Sequence, residues 1–292
     1  MIKRALGKSG IEVSVLGFGA GHIGGNNLTE AEVSNLLNEV VDLGINLFDS
    51  ARGYGLSEER IATHLSYRRS EIIISTKVGY GVTGVPDWTY KSVEEGIDEA
   101  LRKLRTDYID IVHLHSCSVD ILKQEDVIKS LIRAMADGKI RVAAYSGEND
   151  ALIYAANRNE FGSLQCSLNP FDQRNIVQVL PIVKENKIGM IAKRPLANVP
   201  WKFTHQPAGE YCEEYWKRMM KMNLQLDMDW LEAAIRFTAF TEGVNSIIIG
   251  TSCIEHLKKN IKLLEKGKLP AEIYTALRNS FIKNDENWIS EV

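Results

Sequence analysis

Only four cysteines occur in 292 residues, Cys117, Cys166, Cys212 and Cys253, and none belongs to a CxxC pair. This spacing argues against a disulfide framework or a zinc ribbon and fits free thiols in a reducing compartment. No segment approaches the roughly 20 consecutive apolar residues of a membrane span. The N-terminal "MIKRALGKSGIEVSVLGFG" has basic residues but no apolar core followed by a small-residue cleavage site. A cytoplasmic chain is expected. There is also no basic block: 35 lysines and arginines are interspersed with 38 acidic residues, for a net charge of -3. That leaves no electrostatic footprint for nucleic acid or for an anionic membrane, so the expected partner is a small molecule. No coiled-coil heptad or apolar surface stripe stands out, so the sequence is silent on oligomeric state.

What is present, with 45% of all residues hydrophobic, describes a globular protein able to bury a large core. Apolar runs rich in β-branched residues recur at 13–18, 45–49, 72–77, 108–115, 141–146, 163–168, 188–193 and 245–250. They are apolar on both faces rather than alternating, as strands buried in a parallel sheet must be. Between them lie amphipathic segments near 29–43, 57–66, 90–104, 120–137, 149–158, 175–186, 228–242 and 253–265. Thr29 and Glu32 have capping-box spacing, and Gly44, Gly138 and Gly189 stand where helices would stop. Strict alternation without a linker predicts an α/β fold, one (β/α)8 TIM barrel over residues 1–292 as a single domain. The N-terminal "IKRALGKSGIEVS" is expected to form a β-hairpin turning at Ser9-Gly10 and plugging one mouth. The long loop after the seventh strand, Leu196 to Leu226, should overhang the other mouth.

"GAGHIG" from Gly19 and "GYGVTG" from Gly79 both match GxGxxG. A Rossmann fingerprint needs the last glycines to open a helix that receives the pyrophosphate. Neither does so promptly, because "GNN" and "VPDWTYKS" follow, and both read as βα loops.

In "NLFDSARGYGLSEERIATHL" an apolar strand runs directly into Asp49, and Tyr54 stands between two glycines before a helix begins. In a barrel of this kind, strand C-terminal ends share one face and carry the chemistry. Asp49 ends strand 2 and Tyr54 follows it; Lys77 ends strand 3, His113 and His115 end strand 4, Ser146 ends strand 5, and Gln165 lies on strand 6. A lysine facing an aspartate in a poorly solvated mouth would pair with it, at roughly 4 kcal/mol for about 4 Å and an effective dielectric near 20. A structural ion pair accounts for those two but not for the tyrosine. A cationic lysine stabilises a phenolate, which makes a neighbouring tyrosine a better proton donor to a carbonyl oxygen.

Taken in order, these segments resemble the aldo-keto reductase family. "LGKSGIEVSVLGFG" is similar to its N-terminal hairpin and first strand, "FDSARGYGLSEE" to its D-T-A-x-x-Y-G-x-S-E segment, "ISTKVG" to its lysine strand, and "LRTDYIDIVHLHS" to its histidine strand. The resemblance implies a catalytic set of Asp49, Tyr54, Lys77 and His115. Tyr54 would protonate a carbonyl oxygen, Lys77 held by Asp49 would assist it, and His115 would orient the oxygen. It also implies a nicotinamide coenzyme bound across the mouth, NADP in preference to NAD, and a small carbonyl substrate reduced to an alcohol. Ser146 and Gln165 fall where the family bonds the nicotinamide carboxamide. Gly250, Thr251, His256 and Asn260 fall in the segment that grips pyrophosphate and adenosine. Tyr80, Trp88 and Trp201 sit in loops over the mouth, as substrate-pocket walls or as loop anchors. Three positions depart from the family pattern. His256 stands where NADP-preferring members often have arginine, Gly147 replaces an asparagine, and "AKRPL" puts Lys193, with Arg194 next, where an aromatic would stack on nicotinamide. That pair reads either as cofactor-phosphate ligands or as a solvated basic patch.

Three rival readings use the same residues. His113 and His115 share a strand face, as in a metal-dependent barrel hydrolase, but no histidine on a later strand joins them. Lys77 could be a Schiff-base nucleophile, but a nearby Asp49 would keep it protonated. A catalytically weak nicotinamide-binding or sensing barrel would keep the fold without fast turnover.

Overall fold

The computed structural model describes residues 1–291. Strands β1 (Lys3–Ala5) and β2 (Glu12–Ser14) form an antiparallel hairpin. Eight parallel strands then close into a barrel: β3 (Leu16–Gly19), β4 (Leu47–Asp49), β5 (Ile73–Val78), β6 (Ile109–His115), β7 (Ile140–Ser146), β8 (Ser163–Ser167), β9 (Gly189–Lys193) and β10 (Ser246–Gly250). Each pairs with its sequence neighbour, and β10 closes on β3. This is the expected (β/α)8 barrel.

Outward-facing residues such as Phe18, Phe48, Val112 and Leu164 pack against the helices in the main core. Leu47, Ile111, Val142, Ala144, Ile191 and Ile248 form a second cluster with Leu6, Ile11 and Val13 of the hairpin. The hairpin therefore seals the N-terminal mouth with apolar side chains, which leaves the C-terminal mouth as the open end. Register sets the order of residues around that opening: Asp49 is beside Ser75, Lys77 beside His113, His115 beside Ser146, Ser146 beside Gln165, and Ser167 beside Lys193.

Helices α1 (Glu30–Asp42), α2 (Ser57–Leu65) and α3 (Tyr90–Leu104) lie where their patterns place them. The Thr29 capping box is complete: the Thr29 amide donates to Glu32 Oε2 at 2.8 Å, and the Glu32 amide donates to Thr29 Oγ1 at 3.3 Å. α1 and α3 begin several residues beyond Gly24 and Gly84, so both glycine motifs lie in βα connections, the first wound into one 3₁₀ turn over Ala20–Ile23. The segment read as 120–137 is two helices, α4 (Val119–Lys123) and α5 (Asp126–Ala136), divided at Glu125, whose φ is +69°. α6 (Asn149–Ala156) follows β7. The segment read as 175–186 is broken too, into α7 (Asn175–Gln178) and α8 (Leu180–Glu185), because Pro181 has no amide proton for the carbonyl of Val177.

The long connection after β9 contains α9 (Glu213–Met222), which the alternation did not reveal. Its Tyr215, Met219 and Met222 pack with Phe171, Ala197 and Phe281 in a cluster apart from the barrel. α10 (Trp230–Phe240) and α11 (Ile254–Glu265) flank β10, and a further helix, α12 (Ala271–Asn284), lies beyond the repeat. No helix among the described residues is long and apolar enough to cross a membrane.

Candidate active site

The C-terminal mouth opens into a cavity of about 720 Å³ whose lining includes Asp49, Tyr54, Lys77 and His115. That volume suits a small-molecule site. Asp49 ends β4 and Lys77 lies one residue from the end of β5, and both are buried. Lys77 Nζ donates to Asp49 Oδ2 at 2.6 Å and to the Ser50 carbonyl at 2.7 Å. It also lies 5.0 Å from the centre of the Tyr54 ring. Burial alone would lower the Lys77 pKa, but the charges of Asp49 and then Tyr54 outweigh it, and the group is held above its ordinary value. Burial would raise Asp49, but Lys77 and His113 outweigh it and hold the carboxyl below the usual range. The lysine is thus a fixed cation beside the tyrosine.

The other carboxylate oxygen, Asp49 Oδ1, accepts from Ser75 Oγ at 2.8 Å and from Gln165 Nε2 at 2.9 Å. Gln165 Oε1 accepts in turn from Ser146 Oγ at 2.9 Å. One polar chain therefore runs from Lys77 through Asp49 and Gln165 to Ser146 across the floor of the mouth.

His115, at the end of β6, approaches Tyr54 edge-on with ring centres 6.3 Å apart. Burial, then the positive charges of Lys77 and Lys193, push its pKa down to about 3, so the imidazole is neutral at ordinary pH. His113 is inside the barrel, with Nε2 3.2 Å from Ser75 Oγ, and burial pushes its pKa down to about 4. It does not line the cavity. No cluster of three or more His, Cys, Asp or Glu side chains with metal-site geometry occurs among the described residues, so nothing completes a His113–His115 ligand set.

Ser146, Gln165, Lys193, Arg194 and Gly250 also line the cavity. Lys193 is not part of a solvated basic patch: its ammonium lies 3.2 Å from Oε1 of Glu148, whose side chain is wholly buried. Arg194 donates to the Glu291 carbonyl and lies 3.4 Å from Ser167 Oγ. Thr251, His256 and Asn260 are not among the lining residues: Thr251 precedes α11, His256 is in its first turn and Asn260 in its middle. Thr251 Oγ1 accepts from the Cys253 amide at 3.0 Å and lies 3.1 Å from His256 Nδ1. Tyr80, Trp88 and Trp201 are not among the lining residues. Tyr80 bonds His115, Trp88 packs against Tyr80, and Trp201 stacks on Trp230 with ring centres 6.2 Å apart.

Several lining residues, Ser116, Asn198, Lys202, Glu210 and Tyr211 among them, carry no signal in the sequence, whereas His22 and the supporting Glu148 do. His22 sits in the first glycine loop, set aside once that loop failed as a dinucleotide fingerprint. Glu148 follows β7 by two residues, close enough to a strand end to have been flagged by the same rule that selected Ser146. The Gly147 departure has a local cause. A Cβ there would come within 2.6 Å of the Tyr145 ring, whose hydroxyl donates to the Cys117 carbonyl at 2.7 Å. Tyr145 fills the space that a side chain at 147 would need.

The model of the aldo/keto reductase family matches residues 15–280. The chain belongs to the aldo/keto reductase family. Among its relatives, L-galactose dehydrogenase of Arabidopsis thaliana is 27% identical over 287 residues, covering 88% of this chain and 86% of the plant protein. A probable voltage-gated potassium channel subunit beta of the same plant is also 27% identical, over 89% of this chain and 90% of its own length. An aldo-keto reductase of Bacillus halodurans, solved in its holo form, superposes with a TM-score of 0.82 at 28% identity and covers 96% of each chain. As a member of this family, the chain is an oxidoreductase.

Proposed function

We propose that this aldo-keto reductase interconverts aldehydes or ketones and alcohols with a nicotinamide coenzyme, NADPH in preference to NADH. The observation that carries the reading is the buried Lys77–Asp49 pair beside Tyr54, in a cavity that His115 also lines. The residues present fit such a coenzyme. Ser146 and Gln165 supply a hydroxyl and an amide on the cavity floor, Arg194 and Gly250 line its wall, and Asn260 is buried without a side-chain hydrogen bond to the described residues. Resemblance at Gly250, Thr251 and Asn260 to the segment that grips pyrophosphate and adenosine supports a nicotinamide coenzyme with NADPH as the first choice, and His256, where NADP-preferring members often carry arginine, leaves NADH as the alternative.

When bound, the coenzyme supplies a hydride to the carbonyl carbon. Tyr54 gives its phenolic proton to the carbonyl oxygen. Lys77, kept charged by Asp49, stabilises the phenolate left behind, and His115 donates a hydrogen bond that orients the oxygen. In the alcohol-to-carbonyl direction Tyr54 takes the proton back. Replacing Tyr54 with Phe should lower NADPH-dependent reduction of a reactive aromatic aldehyde by about 10²–10⁴-fold, with coenzyme affinity, followed by tryptophan quenching, unchanged. Undiminished reduction in that variant would refute the assigned donor. The potassium channel relatives favour a second reading, a coenzyme-binding subunit with slow turnover. Tight NADPH binding with negligible reduction of a panel of carbonyls would select it.

A further inference from the structure

Tyr80 lies in the loop after β5, and its hydroxyl is 3.0 Å from His115 Nδ1. The two rings meet at 5.5 Å with 33° between their planes, and Trp88 backs Tyr80 at 5.8 Å. Several contacts build this position. Gly53, beside Tyr54, lies under the hydroxyl, and a Cβ there would come within 2.9 Å of the phenolic oxygen. Arg52 ties the two loops together by donating to the Gly81 carbonyl at 2.7 Å and pairing with Glu99 at 2.8 Å. The Gly81 amide donates to Asp87 at 2.8 Å, and the Trp88 amide donates to the Gly79 carbonyl at 2.7 Å.

Because His115 is neutral, its single proton sits on one ring nitrogen or the other. Its Nε2 makes no hydrogen bond to the described residues and is the nitrogen left for a ligand in the cavity. With the proton on Nδ1, Nε2 would present a lone pair to the lone pairs of a carbonyl oxygen, which is repulsive. A phenol is a strong donor and an imidazole nitrogen a strong acceptor, so the pair is most stable with the tyrosine donating.

We propose that Tyr80 is a positioning residue: its hydroxyl donates to His115 Nδ1 and thereby keeps the His115 proton on Nε2, facing the substrate oxygen. The role in catalysis rests on the reductase reading above, whereas the tautomer does not and can be observed without substrate.

The test is Tyr80→Phe, which keeps the ring and removes only the hydroxyl, with Gly53→Ala as a second variant that crowds the hydroxyl without deleting it. ¹⁵N-histidine NMR, assigned with His115→Gln, reads the tautomer directly. The wild type should show the Nε2–H form, and Tyr80→Phe should lose it for a mixture with Nδ1–H. The same variant should lower kcat/KM for an aldehyde by roughly 5- to 30-fold, the effect of one lost hydrogen bond, mostly through KM and with NADPH affinity unchanged. Gly53→Ala should shift both readouts in the same direction. A wild-type Nδ1–H form, or a Tyr80→Phe variant that retains Nε2–H with unaltered kcat/KM, overturns the proposal. If the wild type reduces no carbonyl, the reductase reading fails and the NMR comparison still decides the tautomer.

Discussion

Replacing Asp49 with Asn should change the direction in which stability responds to pH. In the wild type, Asp49 is held below its ordinary pKa and Lys77 above its own. A depressed carboxyl stabilises the fold above its unfolded pKa, near 3.9, and loses that contribution as pH falls through the folded value. A raised lysine stabilises below its unfolded pKa, near 10.4, and loses that contribution as pH rises through the folded value. The pair's contribution is therefore constant between about 4 and 10. Asparagine keeps the shape but removes the charge, so Lys77, buried with only the Ser50 carbonyl and the Tyr54 phenol nearby, loses the largest effect opposing its desolvation. Its folded pKa should then fall below 10.4. The unfolded chain would bind more protons than the folded one, and the variant should gain stability as pH rises, by at most about 1.4 kcal/mol per pH unit for one proton. At pH 7 the loss should be about 3–5 kcal/mol, as for a buried pair deprived of one partner. Urea unfolding of wild type and Asp49→Asn at pH 7, 8, 9 and 10 measures this. The stability gap should narrow with pH, and a gap that is constant or widens would refute the argument that burial governs Lys77 once Asp49 is gone.

Other perturbations test the rest of the mouth. Gly147→Ala should destabilise by about 1–3 kcal/mol, read as a drop in the urea midpoint, because its Cβ would press on the Tyr145 ring; a neutral result would mean that this wall is soft. Lys193→Met should be destabilising by about 3–5 kcal/mol, because Glu148 is wholly buried and its Oε2 already lacks a partner. Adding Glu148→Gln should restore more than half of that loss, and a double variant no better than the single one would show that the two side chains are not coupled. His115, with a pKa near 3, should show no ¹⁵N titration between pH 8 and 5, so any acid limb of kcat/KM in that range must belong to another group. A His115 transition near pH 6 would contradict the burial argument.

The barrel was legible because strands buried on both faces leave continuous apolar runs, which short connections punctuate. The Asp49, Tyr54, Lys77 and His115 set was legible because a parallel barrel gathers strand ends at one mouth wherever they fall in sequence. α9 and α12 were not, because neither directly follows a strand: α9 packs on Phe281 of α12 and on the C-terminal tail, and α12 adds Leu277 to the main core and stacks Tyr274 on Phe237 of α10, so both fall outside the strand-helix rhythm. The bond between Tyr80 and His115 joins residues 35 positions apart. A sequence places both near the mouth but does not say which way a loop tyrosine turns; the space above Gly53 and the Arg52 bridge decide that.

Two of the departures from the family pattern, at 147 and at 193, look independent in the sequence but are linked in space. Tyr145 excludes a side chain at 147, and the next residue, Glu148, turns inward to accept from the Ser167 amide at 2.7 Å and to meet Lys193. Ser167 and Lys193 are register partners on β8 and β9, so the carboxylate, two residues past the end of β7, ties that segment to the ends of the next two strands in the barrel. Arg194 follows immediately and is held by the chain end through Glu291. A lysine at 193 would be an unpaired cation without Glu148, and Glu148 would be an unpaired buried anion without the lysine. Restoring an asparagine at 147 alone would therefore collide with Tyr145, and restoring an aromatic at 193 alone would orphan Glu148. The alternative wall of the mouth can be exchanged only as a group of at least four positions, 145, 147, 148 and 193.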